Sequence, residues 1–310
     1  MNVRRVVFSF RNLCLCRING FATVRLPIPG VDNVLLISSA KGGVGKSTVA
    51  VNLALALQQH VDGGNIGVLD ADVFGPSIPR MLKLEGISPE VDKMKRIIPL
   101  TNYNIKCMSM GFLVGSESAV TWRGLMVMSA IQQLLRQVHW GPLHTLVVDM
   151  PPGTGDVQLS ICQNVPVQGA IIVTTPQAVA TTDAHKGIDM FRKLNIPICG
   201  IVENMSEYIC PSCGHHEPLF DNMNEGKSGG ERLAEITNLP LLARIPIDPQ
   251  LVRACDNGEP IIVSKPESKT SSIYKELADI TIKRLHILKS GNIHKNNSST
   301  QQNGILYNRK

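Results

Sequence analysis

A glycine-rich string near the start of the chain has the residue types and spacing that bind phosphate groups. It covers residues 41–48 and reads Lys-Gly-Gly-Val-Gly-Lys-Ser-Thr. Glycines allow the backbone to turn tightly with its N–H groups pointing inward, and a helix that starts after them adds its positive dipole end. The second lysine would reach the β- and γ-phosphates of ATP, and the serine hydroxyl would lie on Mg²⁺. The predicted nucleotide-binding residues are Gly42, Gly43, Val44, Gly45, Lys46, Ser47 and Thr48.

Lys41 and Ala40 distinguish this string from the common phosphate-binding loop (P-loop). Ala40 stands where a first glycine is expected, and Lys41 supplies an extra cation. One lysine suffices for such a loop, so a second lysine beside the glycines needs another phosphate to meet. The alternative is a solvated lysine at a strand end. Lys41 and Lys46 are both candidate catalytic residues.

Two carboxylates follow apolar segments that are predicted to be buried strands. Asp72 comes shortly after residues 65–69, and Asp149 comes directly after residues 145–148. In a parallel sheet the carboxyl ends of the strands form the edge where ligands bind. We therefore predict that Asp72 positions the attacking water, and that Asp149 joins Ser47 in the Mg²⁺ shell. The alternatives are a helix cap or turn former for Asp72 and a strand-end cap for Asp149.

Cys210 and Cys213 form a C-x-x-C pair followed by glycine, the pattern of a metal knuckle. Zinc or an iron-sulfur cluster takes four ligands, and the other cysteines of the body occur singly. A twofold dimer completes the count, because each chain then contributes its pair to one Cys₄ site on the axis. The pattern favours a bridging iron-sulfur site over zinc and over a redox or structural pair.

Alternating strands and helices must position these residues. The hydrophobic pattern predicts an α/β fold in which a doubly wound, mostly parallel sheet has helices on both faces. One P-loop domain is expected over residues 31–288, with residues 87–110 as an excursion from its main sheet. The last parallel strand, residues 196–202, is expected to end at Glu203–Met205, and a final helix is expected over residues 272–288.

The net charge of +6 lies in the two tails, and the body is slightly acidic. A basic nucleic-acid-binding face is therefore not supported, and no apolar run approaches the length of a transmembrane segment. Residues 1–30 resemble a mitochondrial presequence, because apolar positions recur at helical spacing among arginines and no acid precedes Asp32. A disordered extension is the alternative. The polar tail, residues 289–310, is predicted to be disordered.

Six segments together resemble the Mrp/NBP-type P-loop ATPases, and the resemblance covers about residues 31–286. With the leader, the chain is most similar to the mitochondrial branch of that family. The segments are Lys41–Thr48, Asp70–Ser77, Cys107–Phe112, Trp122–Ser129, Asp149–Asp156 and Cys210–Cys213.

This resemblance implies a homodimeric, ATP-dependent scaffold or carrier with weak ATPase activity. It would hold a [4Fe-4S] cluster at the dimer interface and deliver it to apo-proteins, among them subunits of respiratory complex I in the mitochondrial matrix. The resemblance also implies that Lys41 reaches the nucleotide of the partner subunit and that Asn204 reads the adenine edge. As a bare residue, Asn204 could equally be a turn former.

Two other functions remain open. A MinD/ParA-like ATP-driven dimerisation switch would transfer no cluster and would have no use for Cys210 and Cys213. An electron-donating reductase like nitrogenase iron protein takes its cysteine ligands singly from two separate segments, whereas this chain has a C-x-x-C pair.

Overall fold

A mostly parallel β-sheet forms the centre of the body. The computed structural model describes residues 25–61, 64–73, 75–113, 124–210, 213–218, 220 and 226–303. Within them, the sheet has the strand order β3-β4-β2-β5-β1-β6-β7-β8, and β9 also pairs with β7. The strands are β1 (Val31–Ser38), β2 (Ile66–Asp70), β3 (Leu100–Asn102), β4 (Ile105–Ser109), β5 (Leu143–Asp149), β6 (Gly169–Thr174), β7 (Ile198–Ile209), β8 (His216–Glu217) and β9 (Leu241–Ile247).

Helices cover both faces of this sheet. The two faces are visible in β1, where Leu35 and Ile37 join one hydrophobic cluster while Val34 and Leu36 join the other. The first cluster includes residues of α1, α8, α9 and α10, and the second includes residues of α4, α5 and α6. The helices are α1 (Lys46–His60), α2 (Ile78–Met81), α3 (Met110–Leu113), α4 (Gly124–Arg136), α5 (Asp156–Asn164), α6 (Ala178–Lys193), α7 (Gly229–Thr237), α8 (Pro249–Asp256), α9 (Ile261–Ser264) and α10 (Lys269–Asn303).

This architecture confirms the predicted α/β fold. Within the described residues, the pairs β1–β5, β1–β6, β2–β4, β2–β5, β6–β7 and β7–β9 are parallel, and β3 and β8 are antiparallel to their neighbours. Strands buried on both faces are the reason why the sequence shows near-continuous apolar runs without alternation. None of the helices in the part of the chain that the structure describes is long and apolar enough to cross a bilayer.

Two predictions about strands are wrong. Residues 105–109 do not lie outside the main sheet, because β4 pairs in parallel with β2 from Gly67↔Lys106 to Asp70↔Ser109. The strand expected to end at residues 203–205 continues to Ile209, because β8 and β9 both pair with its distal part. The partners β4 of β2 and β9 of β7 are distant in sequence, and β8 is only two residues long, so local patterning did not reveal these pairings.

The two ends of the body also differ from expectation. The last helix does not end at residue 288 but continues to Asn303, and no proline after Leu288 interrupts it. Disorder of the polar tail, residues 289–310, stays a prediction, and residues 304–310 lie outside the described residues. At the other end, Ile28 is buried in the second cluster and the Leu26 N–H donates to the Asn164 carbonyl (3.0 Å). Residues 25–30 of the predicted leader thus pack on the body, and residues 1–24 lie outside the described part.

Candidate functional site

The glycine-rich loop connects β1 to α1 and forms an open cradle. Gly43 and Gly45 have φ angles of 81° and 82°, a left-handed conformation that glycine adopts without steric cost. A Cβ atom on Gly42 or Gly43 would meet nothing within 4 Å. No side chain caps the first turn of α1, and that turn has no acidic residue. Its backbone N–H groups and dipole are therefore presented to an anion.

Lys46, Ser47 and Asp149 meet at the floor of this cradle. The Lys46 ammonium donates to Asp149 Oδ1 at 2.6 Å, and the Ser47 hydroxyl donates to Asp149 Oδ2 at 2.5 Å. Asp149 is fully buried at the carboxyl end of β5. A serine oxygen beside a carboxylate oxygen is the hard donor set that Mg²⁺ prefers, so these residues fit the ion that the sequence implies.

Asp70 lies directly beside Asp149, because the two residues are register partners on β2 and β5. Burial is the largest cause that raises the pKa of Asp70, and the neighbouring charge of Asp149 adds to it; hydrogen bonds and Lys46 oppose the shift, and the resulting pKa is about 7. Burial also raises the pKa of Asp149, against the opposing effect of Lys46. Two carboxyl groups and one ammonium thus lie together with almost no exposure to solvent.

Asp70 also orients the loop that carries Asp72. Its carboxylate accepts hydrogen bonds from the N–H groups of Asp72 (3.1 Å) and Ile78 (3.3 Å) and from the Ser109 hydroxyl (3.0 Å). Asp72 lines a cavity of about 290 Å³ together with the glycine-rich loop and Pro152. The structure therefore brings Asp72 to the cavity in which the γ-phosphate is expected.

Lys41 stands at the rim of the loop and is half-buried. Its carbonyl accepts a hydrogen bond from the Ser39 hydroxyl at 2.9 Å, which fixes the backbone at this point. Within the described ranges, no carboxylate forms an ion pair with the Lys41 ammonium. Its predicted contact with the nucleotide of a partner subunit stays a prediction.

Asn204 lies against the underside of the glycine-rich loop. Its side-chain amide donates to the Val44 carbonyl at 2.9 Å, and a Cβ atom on Gly45 would collide with the same amide. Position 45 therefore requires glycine both for its φ angle and for this close approach. Asn204 is a residue of strand β7 rather than of a turn, and its role at the adenine edge stays a prediction.

The cysteine pair lies at the tip of a hairpin formed by β7 and β8. Cys210 follows the last residue of β7, its N–H donates to the His215 carbonyl (2.9 Å), and its carbonyl accepts from the Gly214 N–H (2.9 Å). Cys210 is half-buried and Cys213 is exposed. Burial raises the thiol pKa of the other described cysteines, which are Cys107, Cys162, Cys199 and Cys255. The pair at the hairpin tip is therefore the accessible one among the described cysteines.

The cysteine pair finds no further metal ligand among the described residues of one chain. Among the described residues, no group of three or more His, Cys, Asp and Glu side chains could hold a metal ion. The two nearby histidines contact carboxylates, His215 with Glu217 at 3.0 Å and His216 with Glu207 at 3.1 Å.

Two residues of this region were not predicted to belong to the site. Ser109 reaches Asp70 from the end of β4, a contact between residues far apart in the chain. Met205 lines the cavity with a left-handed φ angle of 55°, which methionine rarely adopts. Only knowledge of the sheet order would have placed either residue at the site.

Comparison with known proteins gives one family. The family model described as ParA, NUBPL iron-transfer P-loop NTPase, matches residues 30–282. The mouse protein named iron-sulfur cluster transfer protein NUBPL is 51% identical over 259 residues, which are 84% of this chain and 79% of the mouse protein. An Arabidopsis thaliana protein named iron-sulfur protein required for NADH dehydrogenase, mitochondrial, is 46% identical over 270 residues, covering 87% of this chain and 84% of that protein.

Solved structures agree on the fold. A nucleotide-binding protein from Archaeoglobus fulgidus in complex with ADP is 34% identical, with a TM-score of 0.66, covering 79% of this chain and 93% of that one. The cell division ATPase MinD of Pyrococcus furiosus is 23% identical, with a TM-score of 0.60, covering 81% and 98%. The second likeness concerns the fold alone.

Proposed function

Because this chain belongs to the family of NUBPL iron-transfer P-loop NTPases, we propose that it is an ATP-dependent iron-sulfur cluster carrier. The observation that carries the proposal is the pair Cys210 and Cys213, which is accessible at the tip of a hairpin whose first strand, β7, contacts the nucleotide loop. The names of the mouse and Arabidopsis relatives support iron-sulfur cargo. A dimerisation switch without cargo would leave this pair without a role.

ATP binds in the cradle of the glycine-rich loop. The backbone N–H groups of the loop hold the phosphates, and Lys46 exchanges its contact with Asp149 for the β- and γ-phosphates. Ser47 and Asp149 would hold Mg²⁺, which when bound neutralises charge on the phosphates. Asp72 orients the attacking water, and Asp70 holds the Asp72 loop in place. The expected activity is a weak ATPase.

The cluster is cargo shared by two chains. Each chain supplies two thiolates, so a [4Fe-4S] cluster with four cysteine ligands requires a homodimer. Lys41 reaches the nucleotide of the partner subunit in the same dimer. ATP therefore favours the arrangement that holds the cluster, and cluster binding in turn favours ATP, because such linkage is reciprocal.

We place this activity in the mitochondrial matrix, with subunits of respiratory complex I among the apo-protein clients. The acid-free, arginine-containing leader and the name of the Arabidopsis relative support this placement. Since residues 25–30 pack on the body, removal of the leader before Arg25 preserves those contacts.

Anaerobic purification followed by iron and sulfide analysis tests the proposal. We expect equal amounts of iron and sulfide, corresponding to one [4Fe-4S] cluster per two chains. Cys210→Ala and Cys213→Ala lose the cluster and keep ATP binding, whereas the buried-thiol control Cys162→Ala keeps both. Release of the cluster to an apo iron-sulfur protein depends on Lys46 and Lys41. A full cluster on a monomer, or metal retained after replacement of both cysteines, contradicts the shared site.

A further inference from the structure

Strand β7 touches the nucleotide loop at one point and carries the cysteine pair at its end. Asn204 donates to the Val44 carbonyl, and Cys210 follows six positions later in the chain. Six extended residues span about 20 Å. The two candidate sites are therefore joined by a single short stretch of backbone.

That stretch is irregular at Met205. Pairing of β7 with β9 runs through Asn204↔Ile245 and resumes at Tyr208↔Ile247, so four steps along β7 face two steps along β9. We call residues 204–208 the Met205 bulge. Bulges bend a strand, interrupt its ladder and re-aim the side chains beyond them.

Met205 has a left-handed backbone conformation inside a strand, where a residue with a Cβ atom is strained. Its φ angle of 55° lies in the left-handed region, which is unfavourable for a residue with a Cβ atom. Met205 is inside a strand, whereas the other described non-glycine residues with positive φ lie in turns, in bends or after helix ends. Those others are Lys83, Lys95, Tyr103, Asn104, Asn195 and Asn238. Strain of this kind persists only where the surroundings impose it, and it clusters at switches and ligand sites.

The Met205 bulge connects the nucleotide cavity to the hairpin that carries the cysteine pair. On one side, Met205 itself lines the cavity with Gly43 and Asp72. On the other side, the hairpin is fastened by pairing of Tyr208 with Glu217 and of Ile209 with His216. The bulge and the paired base of the hairpin are therefore consecutive in the chain.

We propose that Met205 is a positioning residue that transmits occupancy of the nucleotide cavity to Cys210, an inference that rests on the proposed function of both sites. A nucleotide in the cavity contacts the Met205 side chain and stabilises one arrangement of the bulge. The hairpin then moves less, and the half-buried Cys210 thiol opens to solvent less often. The coupling operates within one chain and requires no cluster.

The test measures alkylation of Cys210 in the cluster-free, full-length protein, with and without ATP and Mg²⁺. Peptide-resolved mass spectrometry separates Cys210 from the other cysteines, and equilibrium dialysis with labelled ATP measures nucleotide binding in the same samples. In the unsubstituted chain, we expect ATP to slow alkylation of Cys210 about fivefold.

Two substitutions at Met205 and one elsewhere separate the proposal from a merely structural role. Met205→Gly accepts the left-handed conformation and removes the side chain that meets the nucleotide, so ATP should bind but no longer slow alkylation. Met205→Leu keeps an apolar side chain of similar size and should restore the slowing. Lys95→Gly changes an exposed residue with a similar φ angle of 61° in a distant turn and should behave like the unsubstituted chain.

Each result decides the matter. Equal slowing in Met205→Gly and the unsubstituted chain overturns the inference, including the case in which ATP-driven pairing of chains protects the cysteines equally in both. Normal ATP binding without any slowing in the unsubstituted chain overturns the inference and leaves the carrier proposal standing. Failure of the unsubstituted chain to bind ATP overturns both.

Discussion

The ammonium of Lys46 lies 2.6 Å from a carboxylate oxygen of Asp149, and both side chains are almost completely buried. A buried pair of this kind is costly to break on one side, because the remaining charge is left without a partner. The phosphate-binding lysine and the carboxylate that is expected to hold Mg²⁺ therefore stabilise each other within the fold.

Lys46→Ala is expected to abolish ATP binding and to lower the free energy of unfolding by about 3 kcal/mol, because Asp149 is left buried and unpaired. The double variant Lys46→Ala with Asp149→Asn should regain much of that stability without regaining ATP binding. Urea denaturation and equilibrium dialysis measure the two quantities. If the double variant is no more stable than the single one, the pair does not carry the stated cost.

Asp72→Asn should retain ATP binding and lose about 100-fold in hydrolysis rate, because it removes the charge that orients the attacking water but leaves the phosphate cradle intact. Phosphate release under saturating ATP is the measurement. Asp183→Asn, on the surface of α6, is the matched control and should hydrolyse ATP normally. Loss of ATP binding in Asp72→Asn, equal to that in Lys46→Ala, would remove Asp72 from its role.

The raised pKa of Asp70 predicts a specific pH dependence. Because the folded chain holds the Asp70 proton up to about pH 7 and the unfolded chain releases it near pH 3.8, the folded state binds more protons in that window. This group therefore contributes stability that is lost as pH rises from about 4 to 7. Asp70→Asn should remove that part of the slope, as measured by urea denaturation at several pH values. An unchanged slope in Asp70→Asn would mean that Asp70 does not titrate in this range.

Asn204→Ala tests two contacts of one side chain. Losing the amide bond to the Val44 carbonyl should weaken ATP binding, because the loop is less well held. If Asn204 also reads the adenine edge, the variant should bind GTP about as well as ATP, whereas the unsubstituted chain prefers ATP. Competition between the two nucleotides measures this preference. A variant that keeps its full preference for ATP would limit Asn204 to holding the loop.

The leader prediction concerns the protein recovered from cells. Import and cleavage should yield a chain that starts after the arginine-containing segment and no later than Arg25, since Leu26 and Ile28 pack on the body. N-terminal sequencing by mass spectrometry reads the start site. Recovery of protein with an intact Met1 would count against a cleaved presequence.

Local sequence patterns revealed the parts of this site that depend on local geometry. The glycine spacing of residues 42–45 predicted a tight turn, and the structure makes it with left-handed φ angles at Gly43 and Gly45. Asp149 lies at the end of a buried strand whose last residues before it are apolar, as the sequence predicted, and its Mg²⁺ role stays a prediction. Contacts between distant segments gave no such signal, and these include the pairing of β4 with β2 and of β9 with β7; the short hairpin partner β8, with two residues, gave none either.

The central strands are buried on both faces, and a one-residue insertion or deletion in them should therefore affect catalysis more than folding. The end of β5 buries Val147 against the first hydrophobic cluster and Leu146 and Val148 against the second, so a shift of one position still presents mostly apolar side chains to both clusters. The same shift turns Asp149 to the opposite face of the sheet, since successive side chains alternate, and removes it from Lys46 and Ser47. A single-residue deletion in β5 should therefore yield a chain that folds and binds no Mg²⁺, so insertions and deletions there are expected to be excluded by loss of activity before loss of structure.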